Sequence, residues 1–136
     1  MQKTEHGIRM LRRLRDIGIT IAIDDFGTGQ ASFSYLKRFP VDTVKIDKSF
    51  VRDLSAHASD KSIVMAILLI ARELGLRTVA EGVEKAEQRD FLRHHGCDSM
   101  QGYLISRPVP AIAFEELFLK PGPGRVDIAA IAGVTT

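Results

Sequence analysis

The sequence predicts an α/β fold in which parallel strands are joined by helical crossovers. Three observations carry this reading. Segments of helical periodicity alternate with short segments rich in Val, Ile and Thr. Gly18, Gly75 and Gly96 stand where the helical segments should stop. Acids, a lysine and an amide collect at the carboxyl ends of the strand segments, the rim on which parallel α/β folds build their sites. Two architectures satisfy this pattern: an open doubly wound sheet, and part of a (β/α)8 barrel.

The elements follow in order. Ile8, Leu11 and Leu14 recur at helical spacing and predict a helix over Thr4–Asp16, ended by Gly18. Ile19–Asp24 alternates, with Ile19, Ile21 and Ile23 on one face and Thr20, Ala22 and Asp24 on the other, as a strand would. A glycine-rich turn covers Phe26–Gly29, and a short helix is expected over Ser32–Arg38, ended by Pro40. Thr43–Asp47 reads as a second strand. Ser59 is the expected cap of a long helix reaching Leu74. Arg77–Gly82 reads as a third strand, Ala86–His95 as a helix, Ser99–Ile105 as a fourth strand and Phe114–Phe118 as a last helix. Pro121-Gly122-Pro123-Gly124 is a linker signal before a weakly apolar tail, in which Ile128, Ile131 and Val134 could share one face of a helical turn.

Composition narrows the function classes. The 136 residues suit one domain with a real core. Nineteen Lys and Arg against 17 Asp and Glu leave a net charge of +2, too balanced to argue for a nucleic-acid polymer or an anionic membrane surface. Cys97 is the single cysteine, so an intrachain disulfide is excluded and a reducing compartment is the simpler expectation. The longest apolar run, Ile63–Ala71, falls well short of the roughly 20 residues a membrane span needs. With no signal-peptide pattern at the start, the expected location is the cytoplasm.

Four strand ends carry the candidate chemistry. Asp24 and Asp25 close the first strand. Two adjacent carboxylates suit magnesium, manganese or calcium, and can bridge two ions roughly 3.5–4 Å apart for phosphate-ester hydrolysis. Taken alone, the pair is more simply read as turn acids that cap the next helix. Lys45 and Asp47 are two apart and share a strand face opposite Val44 and Ile46. A lysine directed into a sheet is costly unless paired or wet, so Lys45 is either a site residue or a structural partner of Asp47 or a neighbour. Glu81 can complete a metal shell, act as a base on a bound water, or pair with Lys45. Gln101 can donate to a substrate or satisfy backbone groups.

Other signals point away from alternatives. His6, His57, His94 and His95 lack metal-ligand spacing with each other or with Cys97, which argues against zinc. Asp25-Phe26-Gly27 matches the kinase magnesium motif, but no glycine-rich phosphate loop or catalytic-loop motif accompanies it. Receiver domains of response regulators place their lysine on a late strand, whereas Lys45 ends the second.

The motifs taken together resemble those of the EAL family of cyclic-di-GMP phosphodiesterases. The segments that carry the resemblance are Ile21-Ala22-Ile23-Asp24-Asp25-Phe26-Gly27-Thr28-Gly29, Val44-Lys45-Ile46-Asp47-Lys48-Ser49-Phe50-Val51, Val79-Ala80-Glu81-Gly82-Val83-Glu84 and Met100-Gln101-Gly102-Tyr103-Leu104. The resemblance implies a (β/α)8, TIM-type barrel and metal-dependent hydrolysis of cyclic di-GMP to linear pGpG, in bacterial signal transduction. It implies Asp24 and Asp25 as metal ligands, Lys45 and Glu81 as catalytic residues, and magnesium or manganese as the cofactor. Asp47, Glu84 and Gln101 are expected to bind substrate or support the site. Gln30 and Phe33 stand where the family usually has tyrosine and leucine, in a loop it ties to metal binding and dimerisation.

The Glu-Ala-Leu motif itself, the family's later metal-binding asparagine and its Glu-Leu-Thr-Glu segment do not occur. A complete barrel needs about 250 residues. The expectation is therefore a C-terminal half-barrel with about four parallel strands over residues 1–118, followed by a linker and tail over 119–136. Binding of metal should be weak and hydrolysis by this chain alone negligible. A homodimer, a non-catalytic interaction module, or a half that complements a separate N-terminal half are the expected alternatives.

Overall fold

The computed structural model describes residues 2–28, 33–55 and 58–119. Helix α1 (Gln2–Asp16) leads to strand β1 (Ala22–Phe26), helix α2 (Phe33–Arg38) and strand β2 (Thr43–Ile46). Helix α3 (Lys48–Arg52) runs into a 3-10 turn (Asp53–Ser55), followed by α4 (Ala58–Glu73), β3 (Arg77–Glu81), α5 (Ala86–His94) and β4 (Ser99–Gln101). Helix α6 (Ala111–Phe114) continues as a π-helical turn (Glu115–Leu119). The four strands form one parallel sheet in the order β1-β2-β3-β4. The expectations for the loop residue Gln30 and for the tail residues Ile128, Ile131 and Val134 lie outside the described residues.

The three helices that precede strands β1, β3 and β4 stop in the same way. After α1, Gly18 takes φ +89° and the Ile19 amide donates to the Leu14 carbonyl. Gly75 after α4 and Gly96 after α5 repeat the arrangement, with Leu76 donating to Ala71 and Cys97 to Leu92. This is the left-handed helix ending for which glycine has no Cβ penalty. Aspartates then tie down the amino ends of the sheet. Asp42 Oδ2 accepts from the Ile21 amide and Asp42 pairs with Arg15 of α1. Asp98 Oδ2 accepts from both the amide and the hydroxyl of Thr78.

One face of the sheet is covered and the other is open. Val44, Ile46, Thr78 and Ala80 are buried, and the three apolar ones pack with Val51, Val64, Ile67, Leu68 and Leu92 of the helices. The alternate residues Ala22, Asp24, Thr43, Lys45, Val79, Glu81 and Gln101 are half-buried or exposed. Period-two alternation therefore separates a hydrophobic helix-facing side from a polar side. Among the described residues no helix is long and apolar enough to cross a membrane.

Several elements depart from the sequence reading. The first strand begins at Ala22 and runs on to Phe26, instead of covering Ile19–Asp24. Ile19 is 46% exposed and lies outside the ladder, because pairing begins only where the Ile21 carbonyl meets the amides of Asp42 and Thr43. The second strand ends at Ile46, and Asp47 leaves it to cap α3, a helix the periodicity did not suggest. The long helix is described from Ala58, so Ser59 lies inside its first turn and is not its cap. The fourth strand stops at Gln101, where the chain turns back with Ile105 donating to the Gly102 carbonyl. The last helix begins three residues earlier than expected, directly behind Pro110 at its N-cap, a position that suits proline's fixed φ and missing donor.

Candidate metal and phosphodiester site

Adjacent residues in a regular strand point to opposite faces, so Asp24 and Asp25 could not both reach one site from an ideal β1. The structure resolves this with a break in register between Ile23 and Phe26. Within it Asp25 adopts φ +51° and is the one non-glycine residue with positive φ among those described. Aspartate tolerates this region better than most residues. Such strain persists where the surrounding structure demands it, commonly at functional sites. The bulge swings both carboxylates onto the open rim. There one oxygen each of Asp24, Asp25 and Glu81 lies within 4.8 Å of the others.

Lys45 sits at the centre of this group. Its Nζ lies 2.9 Å from Asp24 Oδ1 and 2.6 Å from Glu81 Oε1. The ladder makes this possible: Lys45 is opposite Val79 on β3, two residues before Glu81, and β1 lies on the other side of β2. The hydrogen bonds to Glu81 and then to Asp24 hold the ammonium strongly in its charged form. Lys45 in turn holds the Asp24 carboxyl below the usual carboxylate range. Asp25 is pushed the other way, first by the negative charge of Asp24, with burial and Asp47 adding to the effect. One acid is compensated by the lysine and its neighbour is not, which leaves Asp25 short of a cation.

Asp47 does not pair with Lys45, although the two share a face in an ideal strand. Its Oδ1 accepts from the Ser49 amide at 2.8 Å and from the Ser49 hydroxyl, capping α3. These bonds hold its carboxyl low, and it also lies within hydrogen-bonding reach of Asp25. Glu84 is exposed, and its amide donates to Gln88 Oε1 at 2.8 Å. Gln101 is directly opposite Glu81 in the β3–β4 ladder, with an exposed side chain, and its carbonyl accepts from the Val83 amide. The structure thus brings together Asp24, Asp25, Lys45 and Glu81, sets Asp47 and Gln101 at their border, and leaves Glu84 outside the acid group. The sequence reading missed Gln88 and Gly102, which hold the loops that carry these residues. Gln88 is polar on a helix face otherwise buried, a signal visible only once that face is known.

The donor set fits a hard divalent cation. All three convergent ligands are carboxylates, the chemistry that suits magnesium, manganese or calcium. Neither sulfur nor imidazole belongs to the group. The lysine occupies two of the same carboxylates and would compete with an ion for them.

Comparison with known proteins agrees with this geometry. The EAL domain family matches residues 1–108. The chain is 47% identical over 116 residues to the cyclic di-GMP phosphodiesterase NbdA of Pseudomonas aeruginosa, covering 85% of this chain and 15% of that protein. It is 44% identical over 120 residues to the signaling protein YkoW of Bacillus subtilis, covering 88% of this chain and 15% of that protein. Among solved structures, the EAL domain of Mycobacterium smegmatis DcpA superposes with a TM-score of 0.81 at 43% identity, over 86% of this chain and 52% of that one. The Klebsiella pneumoniae BlrP1 complex with manganese and cyclic di-GMP superposes with a TM-score of 0.68 at 40% identity, over 74% of this chain and 26% of that one. The chain therefore spans about 15% of these curated relatives and about half of the solved EAL domain. Its four parallel strands correspond to part of a TIM-type barrel. The chain belongs to the EAL domain family.

Proposed function

We propose that this chain supplies the C-terminal half of a divalent-metal site for hydrolysis of cyclic di-GMP to linear pGpG, and that it does not complete the reaction alone. The convergence of Asp24, Asp25 and Glu81 around Lys45 supports the reading most directly. Asp24 and Asp25 would hold magnesium or manganese, which supplies an acidified water and neutralises phosphate charge. Glu81, in the acid group, would take a proton from the attacking water. Lys45 bonds to both Asp24 and Glu81, and its charge would stand beside a bound phosphate. Asp47 steadies Asp25, and Gln101 offers an amide beside Glu81. With only these ligands the shell is loose and a water poorly positioned, which lowers both affinity and rate.

Calorimetry with manganese tests the metal half of this reading. The expected result is weak binding that falls at least about tenfold in Asp25→Asn and in Glu81→Gln, by analogy with the sensitivity of metal sites to their supporting groups. Manganese affinity unchanged in both variants would rule out this cluster as the site.

The open sheet face favours a second reading, an interaction module. Parallel sheets rarely leave one face in water, and Ala22, Asp24 and Gln101 are exposed on this one. A two-fold dimer is the simplest cover a second copy can provide. Sedimentation of the chain at micromolar concentration should then show a dimer, whereas a well-folded monomer would remove this reading.

A further inference from the structure

We infer that Gln88 is a positioning residue of the acid cluster, acting through α3, an inference that rests on the metal-site reading proposed above. Helix α3 lies against both loops that carry the carboxylates. On one side its N-cap, Asp47, reaches the Asp25 carboxyl. Its Phe50 ring fills the space beside Gly27, where a Cβ would stand 2.6 Å from a ring carbon. On the other side Lys48 packs against the loop after Glu81, so tightly that a Cβ on Gly82 would stand 2.7 Å from Lys48 Cβ. The helix is thus the spacer between the Asp24–Asp25 bulge and the Glu81–Glu84 loop.

A helix of five residues has little stability of its own, so something must hold it in place. Gln88 does this from α5. It is 2% exposed. Its Nε2 donates to the Val51 carbonyl at 3.0 Å and to the Arg52 carbonyl at 3.3 Å, at the end of α3. Its Oε1 accepts from the amides of Glu84 and Lys85 at 2.8 and 2.9 Å, in the segment that follows Glu81. Both amide hydrogens and both oxygen lone pairs are therefore used. One carboxamide joins the far end of the spacer to the loop that carries Glu81. The bond to Lys85 also caps α5, but a cap needs only the oxygen. The nitrogen is what reaches α3, and it is the part a capping role leaves unexplained.

Gln88→Glu separates the two roles. It keeps the oxygen that accepts from Glu84 and Lys85, and places a second oxygen against the carbonyls of Val51 and Arg52. Leu92→Val, a change at a fully buried residue of the same helix, serves as the stability control. Two readouts are taken on the full chain: manganese affinity by calorimetry, and native-state hydrogen exchange of the Phe50 amide, which bonds to the Asp47 carbonyl, relative to Val44 in the core. Gln88→Glu should weaken manganese binding about tenfold and speed Phe50 exchange about tenfold beyond any change at Val44. Leu92→Val should lower the melting temperature and leave both readouts as they were. Wild-type affinity in Gln88→Glu would overturn the positioning role, even if exchange at Phe50 rises. If the wild-type chain binds no manganese, the metal reading fails by itself. The exchange ratio then decides the link to α3, and an unchanged ratio overturns it.

Discussion

Gly102→Ala is expected to cost more than about 3 kcal/mol of folding stability, the largest loss we anticipate from a single added methyl. The residue follows Gln101 and passes directly beneath Val83. A Cβ there would meet Val83 O at 2.1 Å, Val83 N at 2.3 Å and Val83 C at 2.6 Å. These are backbone atoms, so no rotamer change relieves the clash. Val83 is fully buried, and two bonds stitch it to this turn: Val83 donates to the Gln101 carbonyl and Leu104 donates to the Val83 carbonyl, each at 3.0 Å. Admitting the methyl forces the exits of β3 and β4 apart and strains or breaks both bonds, each worth about 1 kcal/mol. Urea unfolding of the variant beside the parent chain measures the cost. A loss under about 1 kcal/mol would show that the two exits are not held as close as described.

Lys45→Met should tighten manganese binding about tenfold while changing stability by no more than about 2 kcal/mol, since ion pairs open to water contribute little and buried pairs are weak evidence of stability. The ammonium now bonds to Asp24 and Glu81, two of the three carboxylates that converge at the proposed ion position. A cation that enters must displace it or share its partners. Removing the ammonium frees both carboxylates at the cost of mutual repulsion, which the incoming ion then relieves. The same change should abolish turnover wherever a complete site exists, because the charge proposed to face the phosphate is lost. Calorimetry and urea unfolding of the one variant give both quantities. Weaker manganese binding would mean that Lys45 organises the acids more than it competes for them, and a stability loss beyond about 4 kcal/mol would show that it anchors a buried charge network.

The sheet was legible because two simple signals agree in it. Val44 and Ile46 alternate with Thr43 and Lys45, and the glycines at 18, 75 and 96 end helices with positive φ. The strand-end rule then set Asp24, Asp25, Lys45 and Glu81 on one rim, where the structure brings them together. What the sequence hid depended on local breaks in regularity. No periodicity announces the bulge that brings Asp24 and Asp25 to one face, since a regular strand separates them. Asp47 looked like a strand residue facing the lysine, yet Ser49 two positions on offers an amide and a hydroxyl that draw it into a cap. Ile19 fitted the alternation but precedes the point at Ile21 where pairing with β2 begins. Gln88 drew no notice in the sequence, and only the packed helix face shows it buried and fully bonded.

We propose that the carboxylates of this chain form a working part, and not the whole, of a cyclic di-GMP hydrolysing site. The most direct test is the release of pGpG from cyclic di-GMP with manganese, measured for the chain alone and for the chain joined to an N-terminal half of an EAL domain. Negligible turnover is expected for the chain alone, and turnover in the joined protein that disappears in Glu81→Ala. Turnover by the chain alone comparable to that of a complete EAL domain, and abolished by Glu81→Ala, would contradict this proposal.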